Sequence, residues 1–221
     1  MRATRWAIAL GLIPALAGSA SAALINVDFG GGAVQSGPAL VGSAGDVWNA
    51  VTSSASNAAV QYADGSSSPV TLSSTITGNW SLGNAAPTYG TNFYQTPYLN
   101  LMQDFTVGTG TITFAGLPAD TAMALYVYSQ ANQEGGLRSI SVTSGAANAT
   151  ISTDPTLGVF VAGQNYALLN VMTDASGSLT VSVAQVSGET DVNGLQLVTA
   201  VPEPASLGLL GLGALALLRP R

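Results

Sequence analysis

The sequence predicts an all-β chain folded as a single β-sandwich. Apolar and polar residues alternate along many short runs, and Gly, Asn, Asp, Ser and Pro interrupt those runs at the spacing of a sandwich. Between the two ends no stretch holds a convincing helical period. The chain has 221 residues, enough to bury one core of ordinary size. It is 47% hydrophobic and only 7% charged, against a usual charged share of about 25%.

The elements follow in order. Leu24-Ile25-Asn26-Val27-Asp28-Phe29 reads as the opening strand, closed by Gly30-Gly31-Gly32. Val47 to Val51 reads as a single helical turn. Val60 and Tyr62 lead to the turn Asp64-Gly65-Ser66, and Val70, Leu72, Ser74 and Ile76 line one face of the partner strand, so the pair is a hairpin. Leu99, Leu101 and Phe105 are read as one strand, and Thr111 to Phe114 as another. Met123 to Tyr128 is apolar on both faces, which suits a central strand. Strands around Ile140–Val142, Ile151, Tyr166–Asn170, Leu179–Val183 and Leu195–Val198 complete the domain.

Both ends carry addresses. Arg2 and Arg5 precede an apolar stretch from Trp6 to Ala17, and Ala20-Ser21-Ala22 is the small-x-small exit that signal peptidase requires. This predicts a signal helix over 1–22 and a mature start at Ala23. At the other end, Val201-Pro202-Glu203-Pro204 leads into an apolar run from Ala205 to Leu218, closed by Arg219-Pro220-Arg221. As a helix that run is about 21 Å long, short of the ~30 Å hydrocarbon core. It predicts a short hydrophobic helix whose terminal arginines stay cytoplasmic.

The tail resembles the PEP-CTERM sorting signal of Gram-negative bacteria. That resemblance implies an exosortase as partner, transient anchoring in the inner membrane and removal of the tail near Pro202-Glu203-Pro204. Release to the cell surface or extracellular matrix follows. The basic cluster is smaller than usual, with Arg219 and Arg221 alone. Residues 201–221 are then the sorting segment and 23–200 the domain.

Between Ala23 and Ala200 there are ten acids and one base, Arg138, a net charge of −9. Such a field repels phosphate backbones, so nucleic acid is excluded as a partner. Membrane contact is expected only through the tail. Cysteine, histidine and lysine are absent from the chain. Disulfides, Cys/His metal sites, Ser-His-Asp and Cys-His catalysis and Schiff-base chemistry are therefore excluded. Asp/Glu chemistry survives, which leaves a carboxylate-dependent glycan hydrolase or lyase as the enzymatic alternative.

Three segments carry a second resemblance. The opening Leu24–Phe29, the closing Asp191-Val192-Asn193-Gly194-Leu195-Gln196-Leu197, and Thr111-Ile112-Thr113-Phe114-Ala115-Gly116-Leu117-Pro118 leading into Leu125–Tyr128 together resemble galactose-binding-like and malectin-like jelly rolls. The resemblance implies a sandwich of jelly-roll type with its two termini in adjacent strands. It transfers no binding residue.

The candidate ligand site is the loop from Trp80 to Tyr98. Trp80, Tyr89, Phe93, Tyr94 and Tyr98 are interleaved with Asn92 and Gln95. Aromatic rings cover the C–H face of a sugar and amides satisfy its hydroxyls, the chemistry of a neutral exopolysaccharide site. The competing reading is that these rings form a small core of their own, plugging one end of the sandwich. A purely structural matrix component without a ligand is the third functional reading.

Glu189, Asp191 and Asn193 before Gly194 alternate like half a calcium loop, but Ala200 stands where the closing carboxylate belongs. The favoured reading is a turn into the last strand, with Asn193-Gly194 supplying its backbone. No cofactor is required by the sequence, and calcium stays open without a complete motif. Arg138 pairs with an acid, Glu134 being the nearest in sequence. Thr109, Thr111 and Thr113 alternate on one strand, but no sequence repeat extends them into an array.

Overall fold

The computed structural model describes residues 23–82, 92–130, 138–154 and 156–199. The expected signal and sorting segments, with Ala20, Ala22, Val201, Pro202, Glu203, Pro204, Arg219 and Arg221, lie outside these residues, as does Tyr89. Among the described residues the strands are β1 (Leu24–Phe29), β2 (Asn49–Val51), β3 (Ala58–Gln61), β4 (Ser67–Ser74), β5 (Gly78–Ser81), β6 (Asp104–Val107), β7 (Gly110–Ala115), β8 (Ala122–Tyr128), β9 (Arg138–Ser144), β10 (Ala147–Thr153), β11 (Tyr166–Met172), β12 (Leu179–Ser187), β13 (Asp191–Val192) and β14 (Gly194–Thr199). A 3-10 turn over Asn92–Gln95 and one short helix, α1 (Leu99–Gln103), precede β6. No helix among the described residues is long and apolar enough to cross a membrane.

The strands form a sandwich of jelly-roll type. One sheet has five strands in the order β11-β8-β14-β1-β2, and the other has six in the order β10-β9-β12-β7-β4-β3. β1 pairs antiparallel with β14, Ile25 opposite Leu197 and Val27 opposite Leu195, so the first and last strands are neighbours. A third, small sheet runs β13-β6-β5.

Alternation decides the core. On the five-stranded sheet Ile25, Val27, Phe29, Leu125, Val127, Leu169, Leu195 and Leu197 share one buried cluster with Leu72, Ile112, Phe114, Ile140, Val142, Val181 and Val183 of the six-stranded sheet. These inward positions follow the two-residue period of the pleat.

The outward face of the five-stranded sheet is also covered. The row Asp28, Gly194, Tyr128 and Tyr166 is fixed by register across β1, β14, β8 and β11. Over it lie Trp48, Phe93, Leu101 and Met102, which form a second cluster with Tyr128. Asn26 and Gln196 lie opposite each other on the same face. Gln196 Oε1 accepts from Tyr128 Oη at 2.5 Å, and Gln196 Nε2 donates to Asn26 Oδ1 at 2.8 Å. Asn26 and Gln196 are thus buried under loops with their side-chain hydrogen bonds made, which is how such groups avoid the cost of losing water.

Two expectations are corrected. Leu99 to Gln103 is a helical turn rather than part of a strand, and Phe105 alone belongs to the strand that follows. Leu101 and Met102 reach the second cluster from this turn, a placement that spacing by two does not provide. Conversely, Asn49–Val51 is a strand and not a helical turn, because it pairs parallel to β1 with Phe29 opposite Val51.

Three turns share one device. Asp64, Asp154 and Asp174 each accept through Oδ1 from both the backbone N–H and the hydroxyl of the residue two positions on. These bonds hold each carboxyl below its usual range.

Gly194 carries the tightest constraint on the covered face. A Cβ there would stand 2.5 Å from the Val27 carbonyl oxygen and 2.6 Å from Leu101 Cδ1. Replacing Gly194 with Ala is expected to destabilise the domain by about 1–3 kcal/mol through overpacking, read from the midpoint of urea unfolding. An unchanged midpoint would show that β14 does not press on the covering layer.

Candidate functional site

The small sheet builds the candidate site. β5 brings Gly78, Asn79 and Trp80 to one wall, and β6 brings Phe105 and Val107. Trp80 stands opposite Phe105 across the strand pair. Arg138 at the start of β9 and Glu189 complete a cleft of about 330 Å³. Phe105 is buried, whereas Trp80 is 59% exposed. Trp80 and Phe105 together give the cleft an apolar wall, with the indole at its open side.

Arg138 fixes the charged end. Its Nη1 lies 2.5 Å from Asp191 Oδ2 and 3.0 Å from Glu189 Oε2. Asp191 is fully buried, while Glu189 is largely open to solvent. Burial pushes the Asp191 carboxyl above its usual range, and the hydrogen bond and charge of Arg138 offset part of that rise. The cleft therefore presents an indole face, the Asn79 amide and one exposed carboxylate tied to a guanidinium. Asn79 Oδ1 accepts from the Ser53 N–H at 3.0 Å.

The other expected contact residues gather elsewhere. Asn92, Phe93, Tyr94 and Gln95 form the 3-10 turn, and Tyr98 precedes α1. Phe93 is fully buried. Its ring centroid is 5.1 Å from that of Phe160 and 6.3 Å from that of Tyr98, and Phe160 also meets Tyr128 at 5.2 Å. These rings cover the outward face of the five-stranded sheet. Asn92 Nδ2 donates to the Thr156 carbonyl, and Gln95 Nε2 donates to Tyr94 Oη at 2.8 Å. Tyr94 and Gln95 remain exposed. Trp80 stands apart, in a cleft whose described lining holds none of the five.

The segment read as half a calcium loop has other partners. Glu189 and Asp191 meet Arg138, while Asn193 donates from Nδ2 to the Asp104 carbonyl and accepts through Oδ1 from the Gln130 N–H. No group of three or more His, Cys, Asp or Glu that could hold a metal occurs among the described residues. Arg138 and Glu189 were not foreseen beside Trp80, since only the packing of β9 and the β12–β13 connection against β5 joins them. Phe160 was missed as well, being a lone aromatic in a turn-rich stretch.

The described chain is thus a β-sandwich bearing one aromatic cleft at its small sheet. Its tail supplies the address: residues 200–221 match the PEP-CTERM protein-sorting motif. The chain carries the signal of an exosortase substrate, exported and transiently held in the membrane through its C-terminal tail. No curated protein matches it by sequence. Among solved structures it is similar to the P-domain of Penaeus vannamei nodavirus, with 24% identity and a TM-score of 0.31 over 42% of this chain and 86% of that one. The Macrobrachium rosenbergii nodavirus P-domain gives 14% identity and a TM-score of 0.30 over 60% and 91%. An Arthrobacter globiformis isomalto-dextranase complexed with panose gives 15% and 0.35, over 62% of this chain and 24% of the enzyme. No residue role is carried over from these structures.

Because Arg138 compensates a fully buried carboxylate, Arg138→Ala leaves Asp191 without its cation. The expected loss is about 3–5 kcal/mol of unfolding free energy in urea titration. A loss below about 1 kcal/mol, the range of an exposed ion pair, would show that Asp191 reaches water.

Proposed function

We propose that this exported protein binds exopolysaccharide at the surface or in the extracellular matrix of a Gram-negative bacterium, with Trp80 as the stacking platform. The observation that carries the reading is the exposed indole lining the β5–β6 cleft beside Asn79 and the Arg138–Glu189 pair. An indole face packs against the C–H face of a pyranose, and the amide and carboxylate take its hydroxyls. Tyr94 and Gln95 form a second exposed aromatic–amide pair on the 3-10 turn.

Hydrolysis is less well supported. It needs two carboxyl groups about 5–9.5 Å apart across the bond to be cut. Among the described lining residues Glu189 is the one carboxylate, and the nearby Asp191 is buried against Arg138.

Affinity electrophoresis of the full chain through gels containing the host's exopolymer tests the reading. Retardation is expected for the parent chain, and Trp80→Ala should weaken binding about tenfold or more without moving the melting temperature. An unretarded parent chain would favour a structural matrix component. Retardation unchanged in Trp80→Ala would move the site to the Tyr94 turn.

The address has its own test. A chain lacking 201–221 is expected to accumulate in the periplasm, read by fractionation and surface labelling. Surface retention without those residues would refute exosortase sorting.

A further inference from the structure

Asp28 and Asp104 form a buried carboxylate pair that the Trp80 cleft does not use. Asp28 is the penultimate residue of β1 and Asp104 opens β6. They are 3% and 2% exposed, and one oxygen of each, Oδ1, has no hydrogen-bond partner. The second oxygen of Asp28 accepts from the Gln35 N–H at 2.7 Å. Both side chains line a small void of about 10 Å³, closed by the Gly30–Gly32 loop and Val34, about the space one water-sized particle needs. The loop lies directly on Asp104, since a Cβ at Gly32 would fall 2.0 Å from Asp104 Oδ2.

Nothing in the domain neutralises this pair. Arg138 is the sole base between Ala23 and Ala200, with no lysine or histidine anywhere in the chain, and it is engaged by Asp191 and Glu189. Two ionised carboxylates enclosed together without a counter-charge are strongly unfavourable. The compensating charge must come from outside the chain, and a doubly charged ion with a preference for oxygen matches two carboxylates in both charge and chemistry.

We infer that Asp28 and Asp104 hold a calcium ion beneath the Gly30–Gly32 loop. Bound there, the ion joins β1 to β6, and so ties the five-stranded sheet to the small sheet that carries Trp80. With only two side-chain ligands, main-chain carbonyls or waters fill the remaining positions, and the affinity falls in the extracellular range of about 10⁻⁴–10⁻³ M. The competing occupant is a proton: without a cation, burial and the nearby Asp104 push the Asp28 carboxyl up to about 8, and burial raises Asp104 too. The inference is independent of any glycan at the cleft.

The test uses chelator-stripped full chain in mild detergent. Calorimetric titration with calcium chloride should give one site per chain. The melting temperature should rise by about 3–6 °C at ten times Kd. Asp28→Asn and Asp104→Asn should each abolish that rise. In chelator each variant should melt at or above the parent chain, because it removes a buried carboxyl that must either stay charged without a partner or take up a proton, so the order of stabilities reverses when calcium is added. Absence of binding heat together with an identical parent melting temperature in chelator and in calcium would overturn the site in favour of a shared proton. Equal calcium stabilisation of the parent chain and both variants would overturn it as well, by placing the ion elsewhere. If one variant fails to fold, the other still decides.

Discussion

Among the described residues the sandwich puts three carboxylates out of water, Asp28, Asp104 and Asp191, and the domain has one arginine with which to answer them. That imbalance organises the small sheet. Arg138 goes to Asp191 at the start of the last β-segment, where it fixes β9 against β13. A buried charge left unpaired costs several kcal/mol, so Arg138 has little freedom to serve a ligand directly. Its use in the cleft is to hold the exposed Glu189 in place. Asp28 and Asp104 stand on the other side of the imbalance, and the loop of three glycines follows their needs. Its backbone packs closely enough on Asp104 that side chains at Gly30 and Gly32 would collide with it.

The same economy of charge shapes the layer over the five-stranded sheet. A sheet buried on both faces normally carries apolar residues on both. Here the outward positions of β1 and β14 are Asn26, Asp28 and Gln196, and the cover must supply hydrogen bonds as well as apolar surface. Backbone groups of Leu40, Val41 and Val47 do so, together with the Tyr128 hydroxyl. Desolvation pushes the Tyr128 hydroxyl well above its usual range, so it stays neutral, donating to Gln196 while accepting from the Leu40 N–H. The aromatic rings of Trp48, Phe93 and Phe160 then close the layer.

The parts of the fold written in local alternation were legible. β1, the β3–β4 hairpin with its Asp64-Gly65-Ser66 turn, β7 and β12 lie where alternation put them, and β8 lies inside its sheet, as its two apolar faces implied. Leu99 to Gln103 was misread because Leu-Asn-Leu alternates as a strand does, while its helical turn is set by Leu101 and Met102 packing under Trp48. The candidate site was half legible. An aromatic-rich loop was visible, but sequence has no means of separating an exposed Trp80 from a buried Phe93, since that depends on which sheet each segment covers. The Asp28–Asp104 pair has one signal in the sequence: an acid near the end of an opening strand whose other residues, Asn26 apart, are apolar.

The six-stranded sheet shows where the rest of the polar composition went. Its outward positions align across strands as Asn148, Thr143, Ser182 and Thr111, and as Thr180, Thr113 and Ser73. Hydroxyls meet between Thr113 and Thr180 at 3.2 Å and between Thr75 and Thr111 at 3.3 Å. The alternation seen on one strand is therefore extended sideways by register, with no sequence repeat needed. The face is uncharged, whereas Asp64, Asp154 and Asp174 stand in turns whose own hydrogen bonds favour their ionised form. Negative charge in the turns sets copies of the domain against one another by repulsion. An uncharged hydroxyl face also exposes no ion whose water would have to be stripped when another polar surface approaches, which is the costliest part of bringing two polar surfaces together. A chain with so few charges thus keeps its ionised groups for turns and buried pairs and leaves its broadest surface to serine and threonine.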